Sequence, residues 1–286
     1  MAGTAAGGAR QNPYAPYLLV APGVLWLIFF YLVPTLTLAR TAVAPKGDVA
    51  WYDGFQRAFT DYGDHMLRSF GYAMGATVIA ILLGYPLAYV IAFRSGRLKN
   101  LLLGLVILPF FTTFLVRTFA WKTILNDGGM AVRFLGALHL LPADGRLLNT
   151  TWAVVGGLTY NFLPFMILPI YVSLEKIDRR LTEAAQDLYC NARQAFVKVV
   201  LPLSLPGVLA GSLLTFIPAA GDFINAQLLG STKTKMIGNV IQSKFLESSD
   251  YPSAAAMSFI LMMGILAFVA VYAFVVGTEE LTGSAV

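Results

Sequence analysis

The chain has 286 residues, of which 57% are hydrophobic and only 12% charged, with a formal net charge of +5 and a mean hydropathy of +0.69. A soluble domain carries about 25% charged residues, so this composition suits a lipid solvent. The basic residues are scattered between apolar runs, with no stripe and no aromatic interleaving, which argues against nucleic acid as a partner. Cys190 is the single cysteine, leaving no disulfide framework and no CxxC site. His65 and His139, each expected in a loop, have no HExxH pattern or carboxylate cluster around them, so no metal site is expected.

Crossing a hydrocarbon core of about 30 Å takes about 20 mainly apolar residues in a helix, because a helix satisfies its own backbone groups in lipid. Six runs meet that requirement: 17–39, 70–93, 101–125, 152–174, 203–229 and 254–276. They predict an all-α, polytopic membrane protein of six spans, with tails at 1–16 and 277–286 and one transmembrane domain over 17–276. The first run follows Arg10 and precedes the small-residue stretch Ala42-Val43-Ala44, as a secretory signal does. It exceeds the roughly 7–15-residue apolar core of such a signal and reads instead as a span.

Pro22, Pro34, Pro86, Pro109, Pro164, Pro169, Pro206 and Pro218 fall inside these runs. Proline frees a carbonyl and bends a membrane helix, both in helices that line a cavity and in ordinary kinked spans. The short connection after run two holds Arg94, Arg97 and Lys99. The one after run four holds Lys176, Arg179, Arg180, Arg193 and Lys198. Basic density of this kind favours both connections, and so both termini, in the cytoplasm, whereas the raw count of basic residues, larger in the longer opposite loops, does not.

Residues 178–200, between runs four and five, read as two short helices on the membrane surface. Asp178 is a candidate N-cap, and good helix formers run from Arg179 to Leu188. A second stretch spans about 192–200, in which Phe196, Val199 and Val200 share one face; Pro202 and Pro206 then bend the chain back into the bilayer.

This segment resembles the EAA loop of permease subunits of bacterial ABC importers: EAA, three residues, Gly, nine residues, Ile, one residue, Leu-Pro. Glu183-Ala184-Ala185 and Leu201-Pro202 stand at the family positions, and Val199 replaces the Ile. Tyr189 occupies the glycine position, where a tyrosine enters positive φ only at a cost. The turn is then expected either to use another geometry involving Asn191 or to present an altered docking surface. The resemblance implies that 178–200 docks on a separate ATPase, Ala184 and Ala185 permitting close approach, Glu183 making a charge-assisted contact and Asp187 assisting.

Further residues narrow the family. Leu108-Pro109-Phe110-Phe111, the run from Phe114 to Trp121, Gly221-Asp222-Phe223, Leu228-Leu229-Gly230 and the stretch from Met236 to Gln242 are similar to spermidine/putrescine importer permeases, nearest to the PotB-type subunits. That implies a type I importer permease fold in a bacterial cytoplasmic membrane. The implied partners are a second, PotC-type permease, a homodimeric ATPase that holds ATP-Mg, and an extracytoplasmic substrate-binding protein. No cofactor is expected on this chain, which lacks the GxxxxGK[ST] phosphate loop and reads as a transport subunit rather than an enzyme.

Arg117 and Asp222 are ionisable groups inside apolar runs, each costing about 2.5–3.5 kcal/mol on insertion scales, so each calls for a partner or water. Either they pair with each other, or Asp222 faces an outer vestibule and attracts ammonium groups. Phe110, Phe111, Trp121, Tyr160 and Phe162 offer ring faces for cations along such a path, or serve as packing and interfacial anchors. The competing readings are an importer of another organic cation, a thiamine-like molecule, an opine or an iron complex; a gradient-driven secondary transporter or channel; and, with least support, a membrane enzyme.

Overall fold

The computed structural model describes residues 15–43, 52–139 and 145–276; the predicted tails, apart from the first helical residues, lie outside them. Five helices are long and apolar enough to span a membrane: α1 (Tyr17–Ala42), α3 (Gly63–Arg94), α7 (Thr151–Glu175), α9 (Ala192–Ala220) and α12, for which the qualifying stretch is Tyr251–Phe274. Between α1 and α3 lies the short α2 (Asp53–Thr60). His65 sits in the first turns of α3, not in the loop expected for it.

Run three is not a single rod. It is split into α4 (Gly96–Phe111) and a helical pair, α5 (Phe114–Leu125) and α6 (Met130–Ala137), with a bend of 95° at the break. Thr112 and Thr113 are extended there, and the Thr112 hydroxyl donates to the Pro109 carbonyl at 2.8 Å. The run predicted as a third straight span is therefore a sharply bent helix pair. Run five also ends earlier than its hydropathy indicates. α9 stops at Ala220, Gly221–Phe223 interrupt the helix, and 224–229 form a separate short helix, α10 (Ile224–Leu229), followed by α11 (Ile237–Gln242).

α3, α7 and α9 form the centre. On α3, Ala73, Ala76, Ala80, Gly84 and Ala88 are all buried at helical spacing, a small-residue face that lets another backbone approach in lipid. It meets Val154, Val155, Leu158 and Phe162 of α7 near one end, and Met166, Ile167 and Ile170 nearer the other. α9 closes on α7 through Gly207: a Cβ there would lie 2.5 Å from the Pro169 carbonyl oxygen, so only glycine fits.

α1 behaves differently. None of its apolar window is buried, and only its C-terminal part, Val33–Ala42, packs on α12, with Ala42 against Ala255 and Ala256.

Two prolines are absorbed without breaking their helices. Wide turns at Ile28–Leu32 and Phe196–Val200 directly precede Pro34 and Pro202. In each, the amide just before the proline bonds five residues back: Val33 to the Ile28 carbonyl and Leu201 to the Phe196 carbonyl. The expected bend at Pro202 and Pro206 is thus taken up inside one continuous helix from Ala192 to Ala220.

Candidate functional site: a projecting helix pair and a buried polar cluster

The Asp178 carboxylate accepts the Arg180 amide at 3.0 Å and starts α8 (Arg179–Asp187). The helix ends in a full two-bond reversal: the Tyr189 amide donates to Gln186 O at 3.0 Å and the Cys190 amide to Ala185 O at 3.1 Å. Tyr189 has φ of +63°, the left-handed conformation, and is 99% exposed. The glycine geometry is therefore kept by a tyrosine, and the alternative geometry expected around Asn191 does not occur. Asn191 instead caps the next helical stretch in reciprocal bonds with Gln194, at 2.8 and 3.0 Å.

Along α8 and its end, Leu181, Ala184, Ala185 and Leu188 fall at i, i+3, i+4 and i+7. Leu181 and Leu188 are exposed, Ala184 likewise, and Ala185 is half-buried, so the chain leaves this stripe uncovered. Glu183 and Asp187 are exposed on the same helix. Leu201 and Pro202 lie elsewhere, in α9 just after the wide turn, where they root the pair.

The base of the pair is braced. Phe196 meets the rings of Tyr85 and Tyr89 edge-on at 5.9 and 5.6 Å, Arg179 donates to Phe93 O at 3.4 Å, and Lys99 pairs with Glu175. α8 is thereby held to the end of α3, the start of α9 to the rings of α3, and the end of α7 to the start of α4.

The second constellation lies within the helices. Asn161 of α7 donates through Nδ2 to Thr118 Oγ1 of α5 at 3.2 Å and to Asn225 Oδ1 of α10 at 3.0 Å. Asn225 donates to Asp222, from its amide at 2.8 Å and from Nδ2 at 3.3 Å. All four side chains are at least nine-tenths buried. Asp222 is thus the cap that starts α10 and the end of a chain of amides joining three helices.

Among the described residues no ion pair joins Arg117 to Asp222. The Arg117 guanidinium lies over Phe110 at 5.4 Å, and Trp121 meets Tyr160 in a T-shaped contact at 5.4 Å. The structure therefore brings Arg117 to Phe110 and Trp121 to Tyr160, and leaves Asp222 with Asn225. Sequence reasoning passed over Asn161 and Asn225, although an amide inside an apolar run is itself a signal that a partner is required. A polar cavity of about 230 Å³ lies just beyond, lined by Gln227, Ser231, Thr232, Lys235, Asn239 and Gln242 among others.

A bundle of long apolar helices with a capped, uncovered helix between two of its candidate spans has the architecture of a membrane transport component. The chain belongs to the family of binding-protein-dependent transport system inner membrane components, whose family model matches residues 80–278. It is 40% identical over 253 residues to the spermidine/putrescine transport system permease protein PotB of Haemophilus influenzae, covering 85% of this chain and 88% of that protein. With PotB of Escherichia coli K12 the identity is 37%, covering 85% and 92%. The inner membrane ABC transporter permease protein YdcU of the same organism is 35% identical, covering 72% and 70%. In fold the chain is similar to a bacterial alginate ABC transporter crystallised with an alginate pentasaccharide-bound periplasmic protein, at a TM-score of 0.72, 17% identity and 96% coverage of each chain.

Proposed function

We propose that this chain is one of two permease subunits of an ATP-driven polyamine importer, moving spermidine or putrescine. In this reading α8 docks on a homodimeric ATPase that holds ATP-Mg, the chain itself hydrolyses nothing, and both termini face the cytoplasm. A second, PotC-type permease supplies the other half of the path, and an extracytoplasmic binding protein delivers substrate.

The observation that carries the reading is the projecting pair: a helix capped at Asp178, reversed at Tyr189, and presenting Leu181, Ala184 and Leu188 to nothing among the described residues. An exposed apolar stripe flanked by Glu183 and Asp187 is the surface of a helix that seats in another protein's cleft. Most of α1 is left uncovered by the described residues, a face open to lipid or to a second permease. Polyamines follow from the named relatives. Asp222, Trp121, Tyr160 and Phe110 are the residues assigned to the substrate path, with Arg117 beside them.

The test is reconstitution of the chain with its co-purifying subunits and measurement of ATP-dependent uptake of putrescine, spermidine and spermine against thiamine. Polyamine uptake that Glu183→Ala uncouples from ATP hydrolysis is the expected result. If no polyamine competes, the substrate reading fails and the importer class stands. Transport by the purified chain without ATPase defeats the coupling reading, as does full coupling in Glu183→Ala.

A further inference from the structure

Arg117 is the charged group that the described residues leave unsatisfied. It is 8% exposed, its Nε and Nη1 are sealed from solvent without an acceptor, and its guanidinium rests on the rings of Phe110 and Phe114 at 5.4 and 5.7 Å. Ring faces attract a cation but do not replace the directional acceptors a guanidinium requires. Among the described residues no carboxylate pairs with it, and Asp222, the other buried ionisable group inside the apolar runs, is held by Asn225.

The depth of Arg117 narrows the source of the missing anion. The neighbouring Thr118 is bonded to Asn161, which lies about 15 Å along α7 from Thr151 and about 21 Å from Glu175 at 1.5 Å per residue. In a hydrocarbon core about 30 Å thick that level is near the middle, out of reach of lipid headgroups. A cationic substrate cannot neutralise it either. The face of α5 beside it is open, with Leu115, Val116 and Phe119 half exposed.

We propose that Arg117 is a subunit contact that receives a carboxylate from a membrane helix of the second permease, near the bilayer midplane. This rests on the two-permease reading above. Arginine suits the role because it stays charged and offers a planar fork that a carboxylate meets with two parallel hydrogen bonds. The ring pair holds that fork in place before the partner arrives.

The experiment uses the full complex, purified through a tag on the second permease. Arg117→Glu is expected to cut recovery of this chain with its partner at least tenfold while the chain's amount in the membrane stays within twofold of the parent. A single Asp→Lys or Glu→Lys change in a membrane helix of the second permease is expected to restore recovery and uptake. Arg117→Gln covers the case in which the glutamate variant does not accumulate, and is expected to weaken recovery in the same direction. Parent-level recovery in Arg117→Gln overturns the proposal, as does failure of every carboxylate swap to rescue Arg117→Glu. So does a complex whose recovery depends on phosphatidylglycerol and is lost in phosphatidylcholine nanodiscs only when Arg117 is present, which assigns the anion to lipid. Parent complex that lacks a second permease removes the two-permease reading itself, an outcome separate from these.

Discussion

Tyr189 holds a conformation that costs an L-residue about 1–2 kcal/mol and costs glycine almost nothing. Its side chain is 99% exposed, so Tyr189→Gly removes no packing within the chain. Glycine also gives the unfolded segment more freedom, which offsets about 0.4–1 kcal/mol of the gain. The net expectation is a reversal more stable by about 0.5–1 kcal/mol, or a two- to five-fold shift in its local opening. The assay is amide hydrogen exchange in the solubilised complex. The bonds at stake are those from residue 189 to Gln186 and from Cys190 to Ala185, and after correction for intrinsic rates these amides are expected to exchange two- to five-fold more slowly. Tyr189→Asn, which tolerates the same conformation, is expected to fall between the two. Equal or faster exchange in the glycine variant would refute the strain argument. If exchange slows as expected but ATP-coupled uptake falls, the tyrosine ring belongs to the docking surface and its strain is the cost of presenting it.

Packing, the polar cluster and the proposed path each give a further prediction. Gly207→Ala places a Cβ 2.5 Å from the Pro169 carbonyl oxygen and is expected to cost about 1–3 kcal/mol, seen as a lowered Tm in detergent. Gly211→Ala, at 3.0 Å from Met166, is expected to cost less, and Gly104→Ala, with no neighbour within 4 Å, to fall nearest the parent; the reverse order would discredit the helix contact. Asn161→Leu strips Asn225 Oδ1 of its donor inside the bundle and is expected to destabilise by about 1–3 kcal/mol; an unchanged Tm would mean the amide chain is not formed. Asp222→Asn is expected to leave assembly intact and weaken spermidine uptake, and unchanged uptake kinetics would remove Asp222 from the path.

Much of this protein is legible in its sequence because the relevant physics is local. Span length, the absence of charge in 70–93 or 152–174, and the spacing from Glu183 to Pro202 depend only on neighbours along the chain. The Asp178 cap is readable for the same reason. Run five misleads because Phe223, Ile224, Leu228 and Leu229 keep a sliding window apolar across Asn225 and Gln227, while the interruption comes from Asp222 capping a new helix. Run three misleads because Thr112 and Thr113 carry no charge to mark the break.

By itself, then, the sequence determined the solvent, the number of apolar runs and the helix pair between the fourth and fifth of them. The tertiary structure decided which polar groups meet. Asn161 finds Thr118 and Asn225 from 43 and 64 residues away, and Arg117 lies beside Phe110 rather than Asp222. Those pairings depend on how α5, α7 and α10 are packed, and in lipid that packing is set by backbone approach at small residues and by hydrogen bonds between helices rather than by hydropathy. The structure also decided that Tyr189 takes the left-handed turn, because the two reversal bonds closing α8 outweigh the strain of one residue.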